Sequence, residues 1–304
     1  MFDVIIIGGG MAGMTSALYS LRNNKTVLVI EKEAVGGQIA KSPKVENYPT
    51  IKQISGTELA DQLFDQIMAL GVEFELDEVK SVTKQNNIFK VTCEYNTFEG
   101  KSVIVATGSK PRMLGIENEE KLLGKGVYYC AICDGPFFAG QEVVLIGDAN
   151  SAMQYALMLS GYCTKVHMVA LFDHLFGEKS LQDAVKKTEN IDIRFNMEAI
   201  KFVGNDKLDS VLFKDKTTGE EVVYKTNAVF VAIGQVPDNK AFSDLADLDK
   251  AGYLISDEKC TTKTDGLFVA GDCRVKQVRQ VTTAIADGAV AAVAACRYID
   301  SMEK

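Results

Sequence analysis

The stretch Asp3–Glu33, DVIIIGGGMAGMTSALYSLRNNKTVLVIEKE, decides the fold. Val4–Ile7 is an unbroken β-branched run, the pattern of a parallel strand buried on both faces. Gly8, Gly10 and Gly13 follow as GxGxxG: the first lets the chain turn, the second lets backbone approach a pyrophosphate, and the third lets helix pack on strand. The helix that follows presents its N–H groups and positive dipole end to the phosphates. A second apolar strand, Val27–Ile30, ends in Glu31, an acid placed to accept hydrogen bonds from a ribose diol. A lone GxGxxG is a weak signal, but strand, turn, helix, strand and acid in order form a dinucleotide-binding unit. At this point the dinucleotide could be NAD or FAD.

Working outward, 304 residues with 47% hydrophobic content predict two domains, each with its own core. A net charge of −8 argues against nonspecific nucleic-acid binding. The longest apolar runs, such as GAVAAVAA (288–295), fall well short of a membrane span. Met1 leads straight into a strand without a signal peptide, so the expected location is the cytoplasm. Seven cysteines are too sparse for a secreted disulfide scaffold, and only Cys130 and Cys133 lie close together. With two histidines and no second cysteine pair, no metal site is expected. Cys93, Cys163, Cys260, Cys273 and Cys296 read as buried apolar residues.

Two later segments bear on the cofactor. VIVATGSKP (Val103–Pro111) and GLFVAGDCR (Gly266–Arg274) are each a strand ending in a small-residue turn. Together with GGQI at Gly36–Ile39 they resemble the FAD-binding set of flavoproteins that carry two dinucleotide domains. That resemblance implies FAD contacts from Gly37, Gln38, Ala106, Thr107, Gly108, Gly271 and Asp272. The chemistry lies in YYCAICDGPFF (Tyr128–Phe138). Two cysteines separated by two residues can close a small disulfide, and in a cytoplasmic chain such a pair is redox-active or metal-bound. CAICDG between two nucleotide-type turns is similar to the CATCDG of the low-molecular-weight thioredoxin reductases, and the resemblance runs along essentially the whole chain. RQV at Arg279, Gln280 and Val281 stands where that family has RQA beside the flavin, and Asn47 and Tyr48 of VENYP match a segment along it. The resemblance implies that Cys133 receives electrons from reduced flavin, Cys130 attacks the thioredoxin disulfide, and Asp134 exchanges their protons. It also implies a homodimer.

The fold expected is α/β, with two Rossmann-like dinucleotide-binding domains in the thioredoxin reductase arrangement. The FAD domain is discontinuous, residues 1–113 and 241–304, and the second domain, 114–240, is inserted and carries the CxxC. KPRMLGIENE (110–119) and IGQVPDNKAF (233–242) are the connectors, with the composition of hinges.

The second domain departs from the family. VVLIGDANSA (Val143–Ala152) keeps strand, Gly147 and helix, but Asp148 and Ala149 stand where small uncharged glycines would meet a pyrophosphate. The family's basic HRRxxxR clasp for a 2′-phosphate corresponds to ALFDHLF (Ala170–Phe176), with Ala170, Leu171, Phe172 and Phe176 at the cationic positions. Losing two or three charge-assisted contacts of about 1.5–3 kcal/mol each costs about two to six powers of ten in affinity. NADH fares no better, because Ala170 replaces the acid an NAD site wants and Asp173 comes three residues late. Neither NADPH nor NADH is therefore expected to bind. Leu171, Phe172, Leu175 and Phe176 are read as apolar groups under a loop, at a subunit contact or in the core. The combination resembles the ferredoxin-dependent flavin thioredoxin reductases of clostridia, with FAD joining one-electron to two-electron steps. An acidic ferredoxin needs local positive charge, and Arg274, Lys276 and Arg279 of CRVKQVR are the expected patch. Three further readings use the same residues: an NADPH-dependent thioredoxin reductase with a divergent site, a reductase fed by another donor, and a flavin-bound redox sensor without turnover.

Overall fold

The computed structural model describes residues 1–42 and 45–302. Along the chain the first elements are β1 (Phe2–Ile7), α1 (Met11–Arg22), β2 (Val27–Glu31), α2 (Gly56–Met68), β3 (Glu73–Leu76), β4 (Val79–Gln85), β5 (Ile88–Cys93), β6 (Thr97–Val105) and β7 (Ser109–Pro111). Then come β8 (Val127–Tyr128), α3 (Ala131–Asp134), β9 (Glu142–Ile146), α4 (Asn150–Ser160), β10 (Lys165–Val169), α5 (Lys179–Lys187) and β11 (Ile191–Arg194). A three-stranded meander follows, β12 (Met197–Gly204), β13 (Leu208–Asp215) and β14 (Glu221–Lys225). The chain closes with β15 (Val229–Val231), β16 (Gln235–Pro237), β17 (Leu267–Val269) and α6 (Val281–Met302). Two compact units result: Met1–Lys110 with Val236–Lys304, and Pro111–Gln235. The division falls at 110/111 and 235/236, a few residues before the boundaries read from sequence.

In the first unit the strand order is β3-β2-β1-β6-β5-β4, with β17 on the far half of β6. Parallel register sets Ile7 beside Ile30 and Val105, and Val105 beside Val269. Three strands therefore end level, and the turns that follow them, at Gly8, Ala106 and Ala270, gather at one edge of the sheet. Such an edge, outside the carboxyl ends of parallel strands, is where α/β sheets hold ligands. Both faces are covered, as the β-branched strands require: Val4 and Ile6 face a core shared with Met14, Ala17, Ala291, Ala295 and Ile299 of α1 and α6, while Ile5 and Ile7 face Phe89, Val91 and Phe242. The GAVAAVAA run now has a reason. A methyl on Gly288 would lie 2.3 Å from Ala12 O, so α6 needs small residues to press against α1.

The second unit has the order β11-β10-β9-β15-β8 beside the meander. Val143 and Leu145 face α4, and Val144 and Ile146 face Phe202, Val211 and Phe213 of the meander. The redox segment leaves the end of β8, whose two residues pair with Val229 and Phe230. No helix among the described residues is long and apolar enough to cross a membrane.

Candidate active site

The first turn has the shape its glycines imply. Gly8 sits at φ +113°, and a methyl there would lie 2.3 Å from Ala106 O. A methyl at Gly13 would come within 1.9 Å of Gly8 O, so helix and turn touch only if that position is bare. Gly10, which caps α1, is different: a methyl would find nothing closer than Gly36 O at 3.9 Å. The space over Gly10 is open, as a phosphate approaching backbone requires. Glu31 is locked, its Oε2 accepting from Gly9 N at 2.7 Å and its Oε1 from Glu33 N at 2.8 Å. Gly37 and Gln38 open a short 3-10 turn, and Gly36 N donates to Gly9 O at 2.9 Å.

Ala106, Thr107, Gly108, Gly271 and Asp272 lie in the turns that follow β6 and β17 at the same edge. Thr107, between Ala106 and Gly108, donates to Asn239 Oδ1 at 3.1 Å. Asn239, 2% exposed, also donates to Gly252 O and Cys273 O, tying the turns after β6 and β17 to the returning chain. Asn47 donates to Gln280 Oε1 at 3.0 Å, joining two residues far apart in sequence, while Val281 opens α6. Tyr48 packs against the first core and lines a groove with α1 and α2. Gly271 takes φ +79° and donates to Asp287 Oδ2 at 3.1 Å. Asp272 Oδ1 is buried with no hydrogen-bond partner among the described residues. Burial pushes its carboxyl up to about 6, while Lys276 and Arg279 pull the other way. An orphaned acceptor at the mouth of a glycine cradle fits a dinucleotide that brings a hydroxyl donor, and FAD has such hydroxyls on its ribityl chain. Asn239 and Asp287 were missed from sequence because each acts through contacts made only after the chain returns.

The expected basic patch is corrected by the structure. Arg274 is 7% exposed, bonded to Asp287 Oδ1 at 2.9 Å, Ser256 Oγ at 2.7 Å and Asp257 O at 2.9 Å. Lys276 Nζ reaches Asp287 Oδ2 at 2.8 Å with its side chain 9% exposed. Arg279 lies 4.1 Å over the Tyr253 ring. Buried charges need partners, and Asp287 sits between two of these cations. Arg274 and Lys276 are therefore held inside against Asp287 and offer little surface charge, while Arg279 stays half-buried.

Cys130 and Cys133 are joined as a disulfide with Cα atoms 5.3 Å apart. Cys130 caps α3, its Sγ accepting from Cys133 N at 3.2 Å. Asp134, the next residue, is 8% exposed, and burial pushes its carboxyl up to about 7. A carboxyl poised near neutrality beside a disulfide suits proton exchange with thiolates. Cys93, Cys163, Cys260, Cys273 and Cys296 are free and buried, as read from sequence.

The second turn repeats the first in backbone and differs in contents. Gly147 has φ +151°, with Ala232 O only 2.5 Å from where a methyl would stand. Ala149 caps α4 at φ −111°, ψ −176°, as Gly10 caps α1 at φ −78°, ψ −178°. The loop after β10 then closes on this turn. Phe176 N donates to Asp148 O at 2.7 Å, and Asn150 Oδ1 accepts from Glu178 N at 2.8 Å. A methyl on Gly177 would meet Asn150 Oδ1 at 2.0 Å. Asp148 lies in this closure, and burial raises its carboxyl. The apolar clasp residues divide: Leu175 enters the core at 4% exposure, while Leu171, Phe172 and Phe176 stay about 40% exposed, with the Phe172 and Phe176 rings edge to face at 5.3 Å.

The chain matches the pyridine nucleotide-disulphide oxidoreductase family over residues 2–288. It is 41% identical to a thioredoxin reductase of Treponema pallidum (strain Nichols) over 99% of this chain and 98% of that protein. The solved structure of thioredoxin reductase from Streptococcus pyogenes MGAS5005 superposes with a TM-score of 0.94 at 37% identity, covering 99% of both chains. That from Giardia duodenalis gives 0.91 at 30% identity over 98% of this chain and 99% of that one. Cradle and disulfide on this fold define a flavin-dependent disulfide oxidoreductase. The chain belongs to the pyridine nucleotide-disulphide oxidoreductase family and has the thioredoxin reductase fold.

Proposed function

We propose that this protein is a cytoplasmic, FAD-containing reductase that carries electrons from reduced ferredoxin to the Cys130–Cys133 disulfide and on to thioredoxin. FAD, when bound, supplies the link between one-electron and two-electron chemistry. Gly8, Gly10, Gly13, Glu31, Gly37, Gln38, Asn47, Ala106, Thr107, Gly108, Gly271, Asp272, Arg279, Gln280 and Val281 are the residues that would hold it. In the reduced pair, the Cys130 thiolate attacks one sulfur of the thioredoxin disulfide and expels the other as thiolate. Cys133 then attacks Cys130 of the mixed disulfide, re-forming the internal bond and freeing dithiol thioredoxin. Asp134 takes the proton of the Cys133 thiol as it attacks and hands protons, exchanged with solvent, to the departing thiolates. Thioredoxin as acceptor is supported by the names of the relatives at high coverage.

The observation that carries the choice of donor is the closure of the second turn. Phe176 N is bonded to Asp148 O and Glu178 N to Asn150 Oδ1, so the loop after β10 is tied to the turn that opens α4. The clasp positions hold Ala170, Leu171, Phe172 and Phe176, none of them cationic. The reading is tested by mixing the protein anaerobically with NADPH, NADH or chemically reduced ferredoxin, with thioredoxin present. Ferredoxin is expected to bleach the visible flavin absorbance and yield thioredoxin thiols, while the nicotinamides leave it unchanged. Prompt bleaching by NADPH would overturn the ferredoxin assignment in favour of a nicotinamide-fed reductase, and no thioredoxin thiols with any donor would indicate a sensor. A homodimer, implied by the family resemblance, is part of the proposal, with the groove that Leu18, Tyr19, Tyr48, Leu63 and Ile285 line on the first unit as its proposed contact.

A further inference from the structure

The redox segment is thinly anchored by its backbone. Before Cys130 the ladder holds only Val127 and Tyr128, an edge strand of two residues. Tyr129, between that strand and Cys130, donates its phenol to Glu119 Oε1 at 2.5 Å. Glu119 is 2% exposed and comes from the connector by which the chain joins this unit. Its carboxylate also accepts from Leu114 N at 2.9 Å, Gly115 N at 2.7 Å and Ile116 N at 3.4 Å. Gly115, at φ +73°, lets the connector wrap around the acid. The other side of the connector is pinned to the meander, where Phe202 N donates to Glu117 O and Asn118 Nδ2 to Phe202 O. Burial, and then the Glu119 bond, raises the Tyr129 phenol well above its ordinary range, so the donor persists at every working pH. One buried carboxylate thus gathers three consecutive connector amides and the residue beside the attacking cysteine.

We propose that Glu119 and Tyr129 are positioning residues that lock the Cys130–Cys133 segment to the connector, so that the sulfurs are presented in a reactive alignment. Disulfide exchange runs through a mixed disulfide and depends on which sulfur is reached, and small displacements of reacting groups cost orders of magnitude in rate. A two-residue edge strand leaves that alignment to side-chain contacts. The inference rests on Cys130–Cys133 as the redox pair, and Cys133→Ser tests that separately, because persistent thioredoxin reduction in it would remove the pair and not the strut.

The strut itself is tested with Tyr129→Phe, which keeps the ring, its packing and the connector amides. Enzyme with photochemically reduced flavin is mixed with oxidised thioredoxin in single turnover, so no donor protein enters. The rate constant at saturating thioredoxin is expected to fall about tenfold, the half-saturating thioredoxin concentration to stay the same, and Tm to move by no more than about 4 °C. Glu119→Gln, which turns an amide NH2 toward donors, should lower the rate at least as far. Leu122→Ala, a truncation in the same core, provides the comparison: it should lower Tm and leave the rate of the folded enzyme alone. A wild-type rate in Tyr129→Phe, a loss confined to half-saturation, or an equal rate loss in folded Leu122→Ala would each overturn the proposal.

Discussion

Asp134 and Asp272 are both acids raised by burial, and the chain uses them differently. Asp272 has a buried Oδ1 without a donor among the described residues, whereas Asp134 follows the disulfide. For Asp134 the linkage has a definite sign. Its folded value, about 7, lies above the unfolded carboxyl at 3.8. The stability it contributes is complete below the unfolded value and is lost as pH rises through about 7. Asp134→Asn removes that titration, so the urea midpoint of the wild type should decline relative to the variant between pH 4 and pH 8. The same substitution should lower thioredoxin turnover by about a hundredfold and erase an inflection near neutral pH. A stability difference that is flat across that range would count against the buried titration. At this scale the sequence named both acids by their place beside CxxC and at the end of a strand. It missed Asn239, Asp287 and Glu119, since an isolated amide or acid in a loop carries no motif and gains meaning only from what folds against it.

At the scale of elements, the turns β1–α1 and β9–α4 show one backbone with two contents. Both glycines that open them, Gly8 and Gly147, have positive φ and a carbonyl within 2.5 Å of any added methyl. That need is local, so both turns were readable before folding. What separates them is the next two positions, and this can be tested by transplantation. Replacing Gly9 and Gly10 with Asp and Ala, the pair at 148 and 149, should leave the unit folded once Glu31 gives by a few tenths of an ångström, because an added methyl meets nothing closer than 3.9 Å at Gly10 and meets Glu31 Cβ at 3.1 Å at Gly9. Flavin affinity should fall by about a hundredfold or more, through lost approach and an added negative charge beside phosphate. Retention of tightly bound flavin by that double variant would show that Asp148 and Ala149 do not disable a nucleotide turn. The closing of the loop 170–178 over the second turn lay outside sequence reading. Its donors are backbone N–H groups, which nearly every residue has, and one of its two acceptors is the backbone carbonyl of Asp148, the other being Asn150 Oδ1.

For the whole molecule, the order of motifs along the chain implied a split first domain around an insert, and the compact units divide at 110/111 and 235/236. The proposed dimer places a second copy over the groove on the first unit. Tyr19, 41% exposed on α1, lines it. Tyr19→Glu should shift the sedimentation of the protein toward monomer while its flavin spectrum persists, and a monomeric wild type would discard the dimer. The sequence by itself determined the strands, the glycine turns, the CxxC and the absence of clasp cations, because these follow from side-chain pattern and local backbone demand. Only the tertiary structure decided that Arg274 and Lys276 are sunk against Asp287, that Phe176 and Glu178 bond to the second turn, and that Glu119 reaches Tyr129. Those contacts join groups distant along the chain or built from backbone. Their partners are chosen by packing, and nothing in the linear order of residues encodes which buried charge will meet which.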